Sequence, residues 1–108
     1  MLTFDDGVTG QNYPVYERLL FNRKNPNGAS VGATFFITHE NTNYTLIHDL
    51  WSRGHEIALH SITHQVMPSY WVDLNVTGWE AEIVDQRETV ATFAKIPEAD
   101  VSTLTFIA

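Results

Sequence analysis

No cysteine occurs anywhere in the chain, which excludes a disulfide framework and any thiolate metal centre. A metal would have to be held by His, Asp or Glu. Basic residues are scarce too: six Lys and Arg stand against thirteen Asp and Glu, for a formal net charge of −7. The six are scattered, so a nucleic-acid partner lacks the basic patch it would need. An uncharged sugar polymer suits this balance. No apolar run approaches the roughly 20 residues of a membrane span, which excludes a membrane partner of that kind. The opening Met1-Leu2-Thr3-Phe4-Asp5-Asp6 has neither the basic start nor the apolar core of a signal peptide. Charged residues are only 18% and hydrophobic ones 44%, a folding composition. At 108 residues the chain is one domain at most. Two sequons, Asn43-Tyr44-Thr45 and Asn75-Val76-Thr77, suit a secreted parent protein.

What is present alternates. Leu2-Thr3-Phe4 is a short strand pattern ending at the turn residues Asp5-Asp6-Gly7. A helix follows, with Asn12 as cap, Pro14 in the first turn and Val15, Leu19 and Leu20 on one face. Asn25-Pro26-Asn27-Gly28 is a turn, and Ala33 to Ile37 a second buried strand. Leu46, Ile47, Leu50 and Trp51 predict a helix stopped by Gly54. Glu56 to Leu59 is a third strand running into His60-Ser61-Ile62-Thr63-His64. A looser segment from Met67 to Val76 precedes a helix with a Thr77/Glu80 capping box and an apolar stripe of Trp79, Ile83, Val90 and Phe93. Val101 to Ile107 reads as a fourth strand. This order predicts an α/β architecture with parallel strands, about the first half of a (β/α) barrel. Asp5-Asp6 and His60 then follow strands on the same rim, where barrel chemistry sits.

Two His four residues apart converge on one ion if their segment coils into a helical turn. Two His and one carboxylate make a common zinc or divalent-metal set that leaves room for water and substrate. Adjacent acids at a strand end usually just solvate a turn. Because neighbouring side chains there point in different directions, one can also bind a metal while the other takes a proton from the bound water. His39 ends the second strand on the same rim, as a hydrogen-bonding histidine or as part of a substrate groove. Trp71, after the histidines, is a candidate to stack on a sugar ring. His48 and His55 are read as structural, Trp79 as a core residue of its helix, and Glu80, Glu82, Asp85 and Glu88 as a solvated face.

Thr3-Phe4-Asp5-Asp6-Gly7 followed two α/β units later by His60-Ser61-Xaa-Xaa-His64 resembles the first two motifs of the polysaccharide deacetylases of carbohydrate esterase family 4. Asn25-Pro26-Asn27-Gly28, Ala33-Thr34-Phe35-Phe36, His39-Glu40, Thr42-Asn43-Tyr44 and Gly54-His55-Glu56-Ile57-Ala58 look like its animal-type chitin deacetylase branch. The resemblance implies a partial barrel of the polysaccharide deacetylase type. It implies Asp5 as catalytic base and Asp6, His60 and His64 as ligands of a divalent metal, with zinc the usual ion. The implied substrate is chitin or an N-acetylglucosamine oligosaccharide, which loses acetate outside the cell. The family's third motif, Arg-Xaa-Pro-Tyr, is expected near residues 102–108, where the chain reads Ser102-Thr103-Leu104-Thr105-Phe106-Ile107-Ala108. That arginine would orient the base. The later motifs, including a Leu-Xaa-His general acid, would fall past Ala108. The expectation is thus a catalytic domain cut at both ends, with a non-catalytic carbohydrate-binding module or inactive fragment that keeps the metal site as the alternative.

Overall fold

In the computed structural model, which describes residues 2–21, 23–28 and 31–105, four parallel strands lie side by side in chain order. They are β1 (Thr3–Asp5), β2 (Thr34–Ile37), β3 (Glu56–Leu59) and β4 (Val101–Thr105). Helices α1 (Tyr13–Leu19) and α2 (Tyr44–Ser52) fill the first two crossovers. The third holds α3 (Pro68–Val72), α4 (Val76–Trp79), a π-helical turn over Glu80–Val84 and α5 (Asp85–Ala94). Sequential parallel strands joined by helical crossovers form part of a (β/α) barrel, as the alternation predicts. Phe106 and Ile107 of the predicted fourth strand lie outside the described residues.

Alternation along the strands divides the sheet into two faces. Phe35, Ile37, Ile57 and Leu59 meet Tyr16, Leu20, Ile47, Leu50, Val90 and Ala94 of the helix layer in one core. Phe4 packs there too, its ring 5.0 Å from Tyr16. All four residues of β2 are buried, the mark of a strand covered on both sides. Each large side chain so buried contributes about 1.5–3 kcal/mol.

Local details depart from the sequence pattern for physical reasons. At α1 the inward pair is Tyr16 and the capping Leu20 just past its end, while Val15 and Leu19 are exposed; the two positions that face the sheet are four apart. Asn12 does not cap the helix. It folds back instead, its Oδ1 accepting from the Thr9 N–H and its Nδ2 donating to the Gly7 carbonyl, both at 2.8 Å. The Asn25–Gly28 turn closes through a Gly28 N–H to Asn25 carbonyl bond of 2.8 Å. Helix α2 ends as predicted at Gly54, whose φ of +89° only glycine adopts without cost.

The cap of α4 is Asn75, not Thr77: its Oδ1 accepts from the Gly78 N–H at 2.8 Å. Of the predicted stripe only Val90 is buried, and Phe93 is 62% exposed. The face turned to the sheet is Glu82, Gln86, Val90 and Ala94. The wider π turn carries an extra residue per turn, so a count at helical spacing begun at Trp79 arrives on the wrong side. Glu82 is therefore not part of a solvated face.

Candidate metal centre

Phe4 faces the helices, so Asp5, its neighbour on the strand, faces the opposite side of the sheet, in register with Phe36. The chain then turns sharply. Asp6 sits at φ +74°, a left-handed conformation that Asp tolerates better than most residues. Gly7 follows where no side chain fits, because a Cβ there would lie 2.9 Å from the Glu40 carbonyl oxygen. The Val8 N–H donates to Thr42 Oγ1, which donates to the Thr38 carbonyl, and the Asn43 N–H donates to the Val8 carbonyl. The loop after β1 is thereby strapped to the loop after β2. Burial, and then the negative charge of Asp6, push the Tyr16 phenol up.

His60 continues β3, its N–H donating to the Ile37 carbonyl at 2.9 Å. The segment beyond it is not the helical turn expected from the histidine spacing. Ser61 at φ +75° and His64 at φ +51° bend the backbone back on itself, and the His64 N–H donates to Ser61 Oγ at 3.1 Å. The helical segment after α4 grips this loop from behind. Gln86, wholly buried, accepts from the Ser61 N–H and donates to the Ser61 and Ile37 carbonyls. Glu82 accepts from both the N–H and the hydroxyl of Thr63. Sequence reasoning missed both residues. The signal was their spacing of four with Val90 and Ala94, which puts two polar groups on a core-facing stripe.

The rings of His60 and His64 end up 4.8 Å apart between centroids. Asp6 Oδ1 lies 3.5 Å from His60 Nε2 and 3.2 Å from His64 Nε2. One donor atom from each of the three residues falls within 4.8 Å of the others. A tetrahedral zinc site with bonds of about 2.0–2.2 Å has edges of about 3.3–3.6 Å. Two edges of this triangle already approach that length, so the donor set and its spacing fit a divalent cation. His60 is buried, whereas the Asp6 side chain is 62% exposed, which leaves an open side for water and substrate. Asp5 is exposed and lies outside the converging group.

A cavity of about 260 Å³ adjoins the centre, lined by Asp6, Thr9, Thr38, Glu40, Asn41 and His64. Neither His39 nor Trp71 lines it. His39 is exposed and hydrogen-bonded to the Tyr44 hydroxyl at 2.7 Å. Trp71 donates its Nε1–H to the carbonyl of Gln65, the residue after His64. Trp79 is exposed, not a core residue, and its ring stands 5.1 Å from Trp71. His48 donates to the Ala94 carbonyl, tying α2 to α5.

This rim brings two histidines and an aspartate together at the C-terminal ends of parallel strands, in a partial (β/α) barrel whose open end could hold a divalent cation. Residues 1–101 match the family described as polysaccharide deacetylase, and the chain belongs to that family. It is 45% identical over 96 residues to chitin deacetylase 8 of Bombyx mori, covering 89% of this chain and 25% of that protein. With chitin deacetylase 1 of Bombyx mori the identity is 38% over 102 residues, covering 93% of this chain and 19% of that one. Among solved structures it is similar to the Xyl-CE4 domain of a multidomain xylanase from the hindgut metagenome of Trinervitermes trinervoides. The TM-score is 0.65 at 27% identity, covering 94% of this chain and 44% of that one. The chain thus spans about a quarter or less of the curated relatives it matches. No helix among the described residues is long and apolar enough to cross a membrane.

Proposed function

We propose that residues 1–108 are a portion of a catalytic domain that removes N-acetyl groups from chitin or a related N-acetylglucosamine polymer, releasing acetate. The observation that carries this reading is the placement of Asp6 Oδ1 against the Nε2 atoms of both His60 and His64. The two Bombyx mori relatives, named chitin deacetylases, support the substrate class. Asp6, His60 and His64 are assigned as the metal ligands, and zinc as the ion, since a cysteine-free two-histidine, one-carboxylate set suits it. When bound, such an ion supplies Lewis acidity and a more acidic water.

The remaining chemistry falls to the chain. Asp5, free of the ligand group, accepts a proton as the water oxygen bonds to the acetyl carbon. The C–N bond then breaks and the departing amine takes up a proton; no acid for that step is assigned within residues 1–108. Trp71 is read as a sugar-facing ring, because its bond to Gln65 holds the indole beside the histidine loop. His39 is read as a rim residue of the same groove. An extracellular parent is consistent with sequons whose Asn43 and Asn75 are both exposed.

The second reading is a carbohydrate-binding module that keeps the cation without turnover. It is favoured by Ser102 to Thr105, which offers neither the arginine nor the tyrosine of an Arg-Xaa-Pro-Tyr motif. Zinc titration by calorimetry, paired with acetate release from chitin oligosaccharides in a protein holding the complete domain, separates the two. Under the enzyme reading His60→Ala abolishes zinc binding, whereas Asp5→Asn keeps the zinc and removes hydrolysis. Loss of zinc in Asp5→Asn would overturn the division of labour between the two acids. Zinc without acetate in the parent sequence would leave the binding module.

A further inference from the structure

The opposite end of the sheet, where the strands begin, holds a cavity of about 320 Å³ lined by Leu20, Phe21, Arg23, Lys24, Val31, Arg53 and His55. Three of the six Lys and Arg residues of the chain meet there, and no acidic side chain is among the lining residues. Arg53 lies over the Phe21 ring, its guanidinium carbon 4.0 Å from the centroid, and only its Nε is engaged, by Asp49. Arg23 likewise spends only its Nε, on the Arg18 carbonyl. Each guanidinium therefore keeps its terminal nitrogens for another partner.

His55 is 95% buried by its 5% exposure and stacks on Phe21. Its Nδ1 accepts the Ala33 N–H at 3.2 Å, so in the neutral ring the proton must sit on Nε2. Among the described residues no buried side-chain nitrogen or oxygen lacks a partner, and His55 Nε2 forms no hydrogen bond with any of them. Nε2–H therefore reaches accessible space, and the cavity is the space that His55 lines.

The charge balance supports an anion. Arg23, Lys24 and Arg53 bring three positive charges. Asp49 pairs with Arg53 through the arginine Nε alone. Basic side chains thus outnumber acidic ones among the residues that line the cavity, in a chain whose net charge is −7. Guanidinium forks match tetrahedral oxyanions bidentately, and Leu20, Phe21 and Val31 leave an apolar wall for a carbon-bearing group.

We propose that this cavity is an oxyanion site, taking a phosphate-type group between the terminal nitrogens of Arg23 and Arg53 and the Nε2–H of His55. The site lies at the strand starts, away from the metal centre at the strand ends, and does not rest on the deacetylase reading. The test is isothermal calorimetry on the full chain freed of metal, with inorganic phosphate in one arm and phenyl phosphate in the other. Expected is saturable binding of one ion per chain, at least tenfold weaker in Arg23→Gln/Arg53→Gln and unchanged in His60→Ala. Tighter binding of phenyl phosphate identifies a monoester as the source; equal or tighter binding of the inorganic ion identifies free phosphate. If the double variant melts early, Arg23→Gln alone, in an exposed segment, is measured for the same loss. Neither probe saturating by about 10 mM, or binding that survives the arginine changes or vanishes in His60→Ala, overturns the proposal.

Discussion

Gln86 divides its side-chain hydrogen bonds between Ser61, in the turn that carries the histidines, and the Ile37 carbonyl at the end of β2. Replacing it by Leu takes the Gln86 partner from the Ser61 N–H and carbonyl in a dry interior, while the Ile37 carbonyl keeps the His60 N–H, a loss of about 2–3 kcal/mol. Outer partners of ligands also set their orientation, so zinc affinity of Gln86→Leu is expected to fall by about 10–100-fold. Thermal melts and zinc calorimetry check the two effects separately. His55 carries a second prediction. Burial, and then the Arg53 charge, hold its pKa below the ordinary 6.5, and protonating Nδ1 would oppose the Ala33 N–H. The unfolded chain thus takes up this proton more readily than the folded one. Stability from His55 is complete above pH 6.5 and drains away as pH falls below it. Urea midpoints from pH 7.5 to 5, compared with His55→Gln, are expected to show the variant losing less on acidification. At this scale the candidate ligands were legible, because without cysteine only His and carboxylates can do the work. Gln86 and Glu82 were not, since a polar residue on a helix reads as solvated until the opposing loop is known.

Glycines separate the elements that hold the fold from those that hold the site. Gly54 ends α2 at φ +89° with open space around a would-be Cβ. Gly54→Ala is expected to cost about 1 kcal/mol with zinc affinity unchanged. Gly7→Ala instead presses a methyl group on the Glu40 carbonyl and prises the two loops apart beside Asp6. It is expected to lower zinc affinity as well as the melting temperature, and calorimetry on both variants decides. The first three strands and α2 were readable from short apolar runs punctuated by Gly and Asp. The segment from Thr77 to Phe93 was readable as a helix but not as a face, because the π turn over Glu80–Val84 resets the phase. The bend at Ser61 and His64 was hidden for a different reason: left-handed backbone at serine and histidine leaves no mark in composition.

For the molecule as a whole, parallel strands and the shared rim were legible from the alternation of elements, while the cavity at the strand starts depends on distant segments meeting and was not. Zinc that binds only the folded chain is expected to raise stability by about 2.7 kcal/mol at a free concentration of 100 times Kd. Melting curves with and without zinc measure this, and His60→Ala should erase the difference. The grip of the long helix on the histidine turn has a wider meaning. Because Gln86 and Glu82 reach across from another crossover, peeling that helix from the sheet and scattering the histidines are a single event. Occupancy by a cation would then act as a latch on a distant part of the chain, and slower hydrogen exchange at the Ser61 amide would be its signature.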